Sequence, residues 1–187
     1  MSASQQGLPP LASEGVFTSA ASIDIDAPRD IVWDVLMDWD AYHEWNPFVR
    51  GQRITDKSKN PLARAPQQGD YLYIHPVHIP PTFEKKRFPS STFINITAYD
   101  PSMYRVAWGG DQVASWLLHT ERWQALSELD GGQRTRYESI EAFSGVLAYI
   151  IKVILKGGLD QGAQAMADGL KNRSEEKWRI QQAASSS

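Results

Sequence analysis

The chain has 187 residues, no cysteine and a formal net charge of −3, and 42% of its residues are hydrophobic. That is the length of one domain with a core of ordinary size, and it rules out a disulfide framework and thiolate chemistry. The basic residues are scattered and the balance is acidic, which leaves no field to attract a nucleic-acid backbone.

In chain order, residues 1–16 have neither a basic start nor an apolar run. They read as a flexible arm with no secretory signal, consistent with a cytoplasmic location. Ile23 and Ile25 then alternate with Asp24 and Asp26, the period of a strand with one buried face. Pro28 suits the first turn of a helix, and Ile31, Val32, Val35 and Leu36 follow at helical spacing. Asp38 is placed to cap a second short helix carrying Trp39, Tyr42 and Trp45, which Asn46-Pro47 ends.

Residues 48–55 and 69–77 read as strands. The segment from His75 to Pro81 holds three prolines, which remove ladder donors and predict an edge or a loop at a cavity rim. Two hairpins follow, 91–98 with 103–108 and 113–129 with 133–143, turned by Asp100-Pro101-Ser102 and Asp130-Gly131-Gly132. From Leu159 to Trp178 the pattern is helical, with Ala163, Met166 and Leu170 on one face. Gly158, Gly162 and Gly169 weaken that helix, each costing about 1 kcal/mol relative to alanine, so close packing or ligand space must offset them. Residues 181–187 read as a disordered tail.

Three blocks resemble the START-like, Bet v 1-like superfamily, within it the SRPBCC domains of polyketide cyclase/dehydrase type. They are A-P-R-D-I-V-W-D-V-L to W-N-P-F (27–48), Y-D-P-S-M-Y-R-V-A-W-G (99–109) and G-G-Q-R-T-R-Y-E-S-I-E-A-F-S-G (131–145). The resemblance covers residues 17–180. It implies an α+β helix-grip fold: a curved antiparallel sheet of about seven strands wrapped around a long C-terminal helix, with two short helices after the first strand. It also implies an internal cavity, with Glu141, Phe143 and Gly145 matching the E-x-F-x-G motif and Trp123 matching a cavity-wall aromatic. Glu121 stands where many relatives have a histidine.

Strand alternation puts His119, Glu121 and Trp123 on one face and Tyr137, Ser139, Glu141 and Phe143 on one face of the next strand, as candidates for a shared concave wall. A carboxylate on an apolar wall has its pKa raised by desolvation, as a neutral-pH acid or base requires. Glu141 is therefore the first catalytic candidate and His119 the second. The alternative for Glu141 is a structural pair with Arg105, Arg122 or Arg136. Trp45, Trp108, Glu121, Trp123, Tyr137, Phe143 and Met166 are the expected ligand contacts.

His75 and His78, three apart in an extended segment, do not share a face, and no H-E-x-x-H or cysteine pair occurs, so no metal site is expected. No Gly-rich nucleotide motif or nucleophile elbow occurs either, and no cofactor is expected. The expected partner is an apolar small molecule, polyketide- or terpenoid-like, with no nucleic acid and no stable membrane insertion, held by a monomer or homodimer. Three functions fit: a cofactor-independent cyclase, dehydratase or isomerase; a non-catalytic lipid or metabolite carrier; or a protein-interaction module with an exposed apolar patch on the second helix or near Ile150 to Leu155. The apolar run from Val146 to Leu155 is too short and too interrupted to cross a bilayer, which takes about 20 residues.

Overall fold

The computed structural model describes residues 15–111, 114 and 116–185. Seven strands form one antiparallel sheet in the order β1-β7-β6-β5-β4-β3-β2. They are β1 Phe17–Ile25, β2 Gln52–Thr55, β3 Tyr71–Val77, β4 Ser90–Asp100, β5 Arg105–Asp111, β6 His119–Leu129 and β7 Arg134–Ser144. Every pairing is between neighbours in sequence except β1 with β7, which brings the first strand beside the last. The helix-grip expectation holds. Helix α4, Lys156–Ser185, lies across the concave face and packs most heavily on β1 and on α1, Arg29–Met37.

Val32, Val35 and Leu36 are the buried face of α1, at the spacing read from the sequence. Pro28 sits one residue before this helix, at its N-cap. The second helical segment is a short 3₁₀ turn, Trp39–Ala41, running into α2, Tyr42–Trp45. Asp38 occupies the N-cap position without a side-chain capping bond, which corrects that expectation. The chain is turned instead by Asn46, whose Oδ1 accepts from the backbone N–H groups of Phe48 and Val49, each at 3.0 Å.

Three further expectations change. β3 lies inside the sheet, second from the edge, and runs through His75 and Pro76 to Val77, so only residues 78–81 of that segment form the expected loop. A register shift between Ile74 and Val77 accommodates the proline. A helix absent from the sequence reading, α3 (Val146–Ile154), precedes α4. Finally, α4 continues through Ser185, so residues 181–185 of the expected tail are helical, while 186 and 187 lie outside the described residues. Most of the expected arm, residues 1–14, also lies outside them.

The small residues of α4 mark close packing. A Cβ on Gly162 would lie 2.5 Å from the Phe48 ring, and one on Gly169 would lie 2.5 Å from the Trp45 carbonyl oxygen. α4 thus rests directly on α2 and on the segment after it, where a larger side chain would hold it away.

Candidate functional site

Between the concave face and the α3–α4 corner lies a pocket of about 280 Å³. Ile74, Ile94, Trp108 and Phe143 supply an apolar wall from the sheet, while Ile151, Leu155 and Leu159 close it from the helices. Phe143 is held by Phe17, the rings stacked 4.4 Å apart, and Trp108 by an edge contact with Trp39. An outer groove of about 330 Å³ runs between α1 and α4, but its rim is surface charge, including Lys177 paired with Asp34 at 3.2 Å. The inner pocket is the candidate site, because an apolar wall with a few buried polar groups is what an apolar ligand requires.

Its two charged groups, Arg122 and Glu141, meet in one corner. The antiparallel register sets Arg122 of β6 directly opposite Glu141 of β7, with Thr120 opposite Phe143. Arg122 Nη1 lies 3.8 Å from Glu141 Oε2, an ion-pair distance without a close hydrogen bond. Arg122 Nη2 donates to the Met166 sulfur at 3.5 Å, the guanidinium stands 5.7 Å from the Phe48 ring, and Nε has no partner. The Arg122 side chain is 6% exposed and that of Glu141 is 22% exposed. Because Glu141 lines the pocket, its remaining exposure is toward the pocket. Burial pushes the Glu141 carboxyl up from the ordinary 4.5, and the Arg122 charge opposes this only in part.

The same face of the sheet continues as a buried polar floor of Ser19, Gln124, Tyr137 and Ser139. Tyr137 donates its hydroxyl proton to Gln124 Oε1 at 2.5 Å, and its own pKa is raised by burial. Ser19 Oγ and Gln124 Nε2 have no partner, so unmet hydrogen-bonding capacity lies beside the Arg122–Glu141 corner.

The sequence-derived candidates separate into four groups. Trp108, Glu141 and Phe143 line the pocket. Tyr137 lies on the same sheet face beneath α4 and Met166 reaches that face from α4, both fully buried, with Met166 touching Arg122. Trp45 packs edge-on against Tyr42 and borders the outer groove, away from the inner pocket.

His119, Glu121 and Trp123 are on the opposite face, which corrects the shared wall. Their cross-strand neighbours in β7 are Ser144, Ala142 and Ile140, which alternate with Phe143 and Glu141. Trp123 is buried there and donates its indole N–H to Glu121 Oε1 at 2.9 Å. Arg122, named from sequence only as a structural partner for Glu141, is the site residue that reading missed. The histidines of the proline segment are also apart. His75 stacks on Tyr73, and buried His78 engages the Thr82 carbonyl through Nδ1 at 2.8 Å.

A profile of the family described as polyketide cyclase / dehydrase and lipid transport matches residues 17–175. The chain is 26% identical over 185 residues to the oxopyrrolidines biosynthesis cluster protein O of Penicillium oxalicum, covering 89% of this chain and 90% of that protein. Among solved structures, a hypothetical protein of Helicobacter pylori superposes with a TM-score of 0.65 at 15% identity, covering 93% of this chain and 99% of that one. The Zhui aromatase/cyclase from Streptomyces sp. R1128 superposes with a TM-score of 0.51 at 18% identity, covering 85% and 86%.

Proposed function

The chain belongs to the polyketide cyclase / dehydrase and lipid transport family, and from that membership and the pocket's chemistry we propose that it binds a small apolar ketone-bearing metabolite and promotes its cyclisation or dehydration. The observation that carries this reading is the Arg122–Glu141 corner in an otherwise uncharged and mainly apolar wall. A volume of about 280 Å³ sits at the small end of the ~300–1,000 Å³ typical of ligand pockets, which favours a molecule of one or two rings.

The chemistry follows from the two groups. The ligand's apolar body lies against Trp108 and Phe143, and its carbonyl oxygen lies against the Arg122 guanidinium. Glu141 takes the proton from the adjacent carbon. The C–H electron pair forms a C=C bond, and the carbonyl π pair moves onto oxygen, where Arg122 stabilises the enolate charge. The enolate carbon then attacks a second carbonyl of the same molecule, and Glu141 returns its proton to the new alkoxide. Glu141 then takes a second proton from the same carbon and gives it to the departing hydroxyl, so that the C–O pair leaves with water and the C–H pair becomes the C=C bond of the dehydrated ring. Confinement of the two reacting centres is worth up to about 7–11 kcal/mol in favourable cases, and a positioned acid–base group contributes roughly 10²–10⁴-fold.

A carrier function is the second reading, favoured by the facing of the two charged groups in the lining, which leaves the rest of the wall neutral. Single-turnover assays on a panel of diketones, with binding measured in parallel, separate the two. A catalyst loses about 10²-fold or more in rate on Glu141→Gln while keeping its affinity. A carrier binds the panel and turns none of it over in either form.

A further inference from the structure

Helix α3 turns an apolar face outward. Val146, Tyr149, Ile150, Val153 and Ile154 recur at i, i+3, i+4, i+7 and i+8, which is one helical stripe, and all are exposed, Val153 at 85% and Ile154 at 71%. The inward residues of the same helix and its end, Ile151 and Leu155, line the pocket. Trp116, 69% exposed, stands beside the stripe, since its carbonyl accepts from the Val146 N–H. Across the pocket, the 78–89 loop adds Phe88, 83% exposed, and reaches the α3–α4 corner where Ile79 abuts Gly158.

The charge around this surface runs against that of the chain. Residues 79–90 and 146–158 contain Lys85, Lys86, Arg87, Lys152 and Lys156 against Glu84 alone, in a protein of net charge −3. Lys156 is paired with Asp160, whereas Lys85, Lys86 and Arg87 have no acidic partner among the described residues.

We propose that this surface docks on an anionic lipid bilayer, with α3 lying in the interfacial plane and the Lys85–Arg87 cluster against the headgroups. An outward apolar helical stripe flanked by tryptophan, tyrosine and basic residues is the chemistry of an interfacial helix, which buries its apolar side roughly 5–10 Å into the headgroup boundary. Among the described residues no helix is long and apolar enough to cross a membrane, so the contact is peripheral. A second copy of the chain fits less well, because a two-fold contact through this patch would bring the two basic clusters together. A folded protein partner also fits less well, because the stripe offers a single hydroxyl, on Tyr149, where such an interface needs regular hydrogen bonding. Docking would open the pocket mouth directly onto the acyl region, so that an apolar ligand passes between bilayer and pocket without crossing water. That consequence rests on the ligand-binding reading above, whereas the docking itself does not.

Flotation of the full chain with lipid vesicles, in the absence of any pocket ligand, tests the docking independently of the pocket. The protein floats with phosphatidylcholine vesicles containing one quarter phosphatidylglycerol, and at least about tenfold less with pure phosphatidylcholine or at high salt. The double substitution Ile150→Asp with Val153→Asp abolishes flotation while keeping the melting temperature, and Lys85→Ala with Arg87→Ala removes the preference for anionic lipid. Failure of the wild type to float with anionic vesicles overturns the proposal, as does equal flotation of the Ile150/Val153 variant. A dimer that the same aspartates dissociate, without flotation, assigns the stripe to a second copy and overturns it equally.

Discussion

Arg122 and Glu141 face each other across the β6–β7 pairing at 3.8 Å, and the balance of forces on the carboxylate favours its neutral form relative to water. Desolvation outweighs the guanidinium, so the folded-state pKa lies above the unfolded value near 4.5. The native state then holds the proton more tightly than the unfolded chain. Stability therefore falls as pH rises from about that value through the folded pKa, and stays lower above it. Glu141→Gln removes this loss. Its melting temperature at pH 7 equals or exceeds that of the wild type, and the two curves converge below the unfolded pKa. A variant less stable at pH 7 by more than about 2–4 °C, the shift of roughly 1 kcal/mol in a domain of this size, would mean that the ion pair is a net stabiliser.

Arg122→Met leaves burial unopposed, so Glu141 titrates at higher pH than in the wild type. If the carboxylate is the base, the acidic limb of the kcat/KM profile moves to higher pH, and the rate falls because the enolate loses its cation. An unchanged limb would detach Glu141 from the proton transfer.

His119→Ala and Glu121→Gln change ligand affinity by less than about twofold, because both residues stand on the sheet face away from the pocket. Calorimetric titration of the two variants checks this. A tenfold loss in either would mean that the outer face communicates with the site.

Gly169→Ala gains about 1 kcal/mol of helix propensity but sets a Cβ 2.5 Å from the Trp45 backbone oxygen, which no rotamer change relieves. Overpacking of this kind costs about 1–3 kcal/mol, so the melting temperature falls. Gly162→Ala meets the Phe48 ring instead, and that ring can shift. Since Phe48 lines the pocket, this variant loses less stability than affinity. Thermal melts and titrations of the pair show the contrast.

The fold was legible because each signal was local: the Ile23/Ile25 alternation, Pro28 before a helical stripe, and glycine turns between apolar runs. The site was less legible because it depends on register. A turn centred between Gly131 and Gly132 pairs each residue with its mirror image about that point, which puts Arg122, with neither Glu121 nor Trp123, opposite Glu141. Alternation within each strand assigns two faces correctly but leaves open which face of one strand meets which face of the next. The turn centre supplies that link, and it was present in the sequence. Helix α3 was visible as an apolar run and, on the interaction-module reading alone, as an exposed patch near Ile150 to Leu155. Composition does not say that its stripe points outward, because that direction is set by the packing of Ile151 and Leu155 over the pocket.

The central claim, that the inner pocket holds an apolar metabolite, is tested most directly by mass spectrometry of small molecules released on denaturation. The protein is first incubated with an organic extract of its producing cells and then repurified, alongside a Thr92→Trp variant whose added ring occupies the pocket. One apolar compound recovered at about one per chain from the wild type, and lost from the variant at unchanged melting temperature, is the predicted result. Equal recovery from both proteins, or no enriched compound from the wild type, would contradict it.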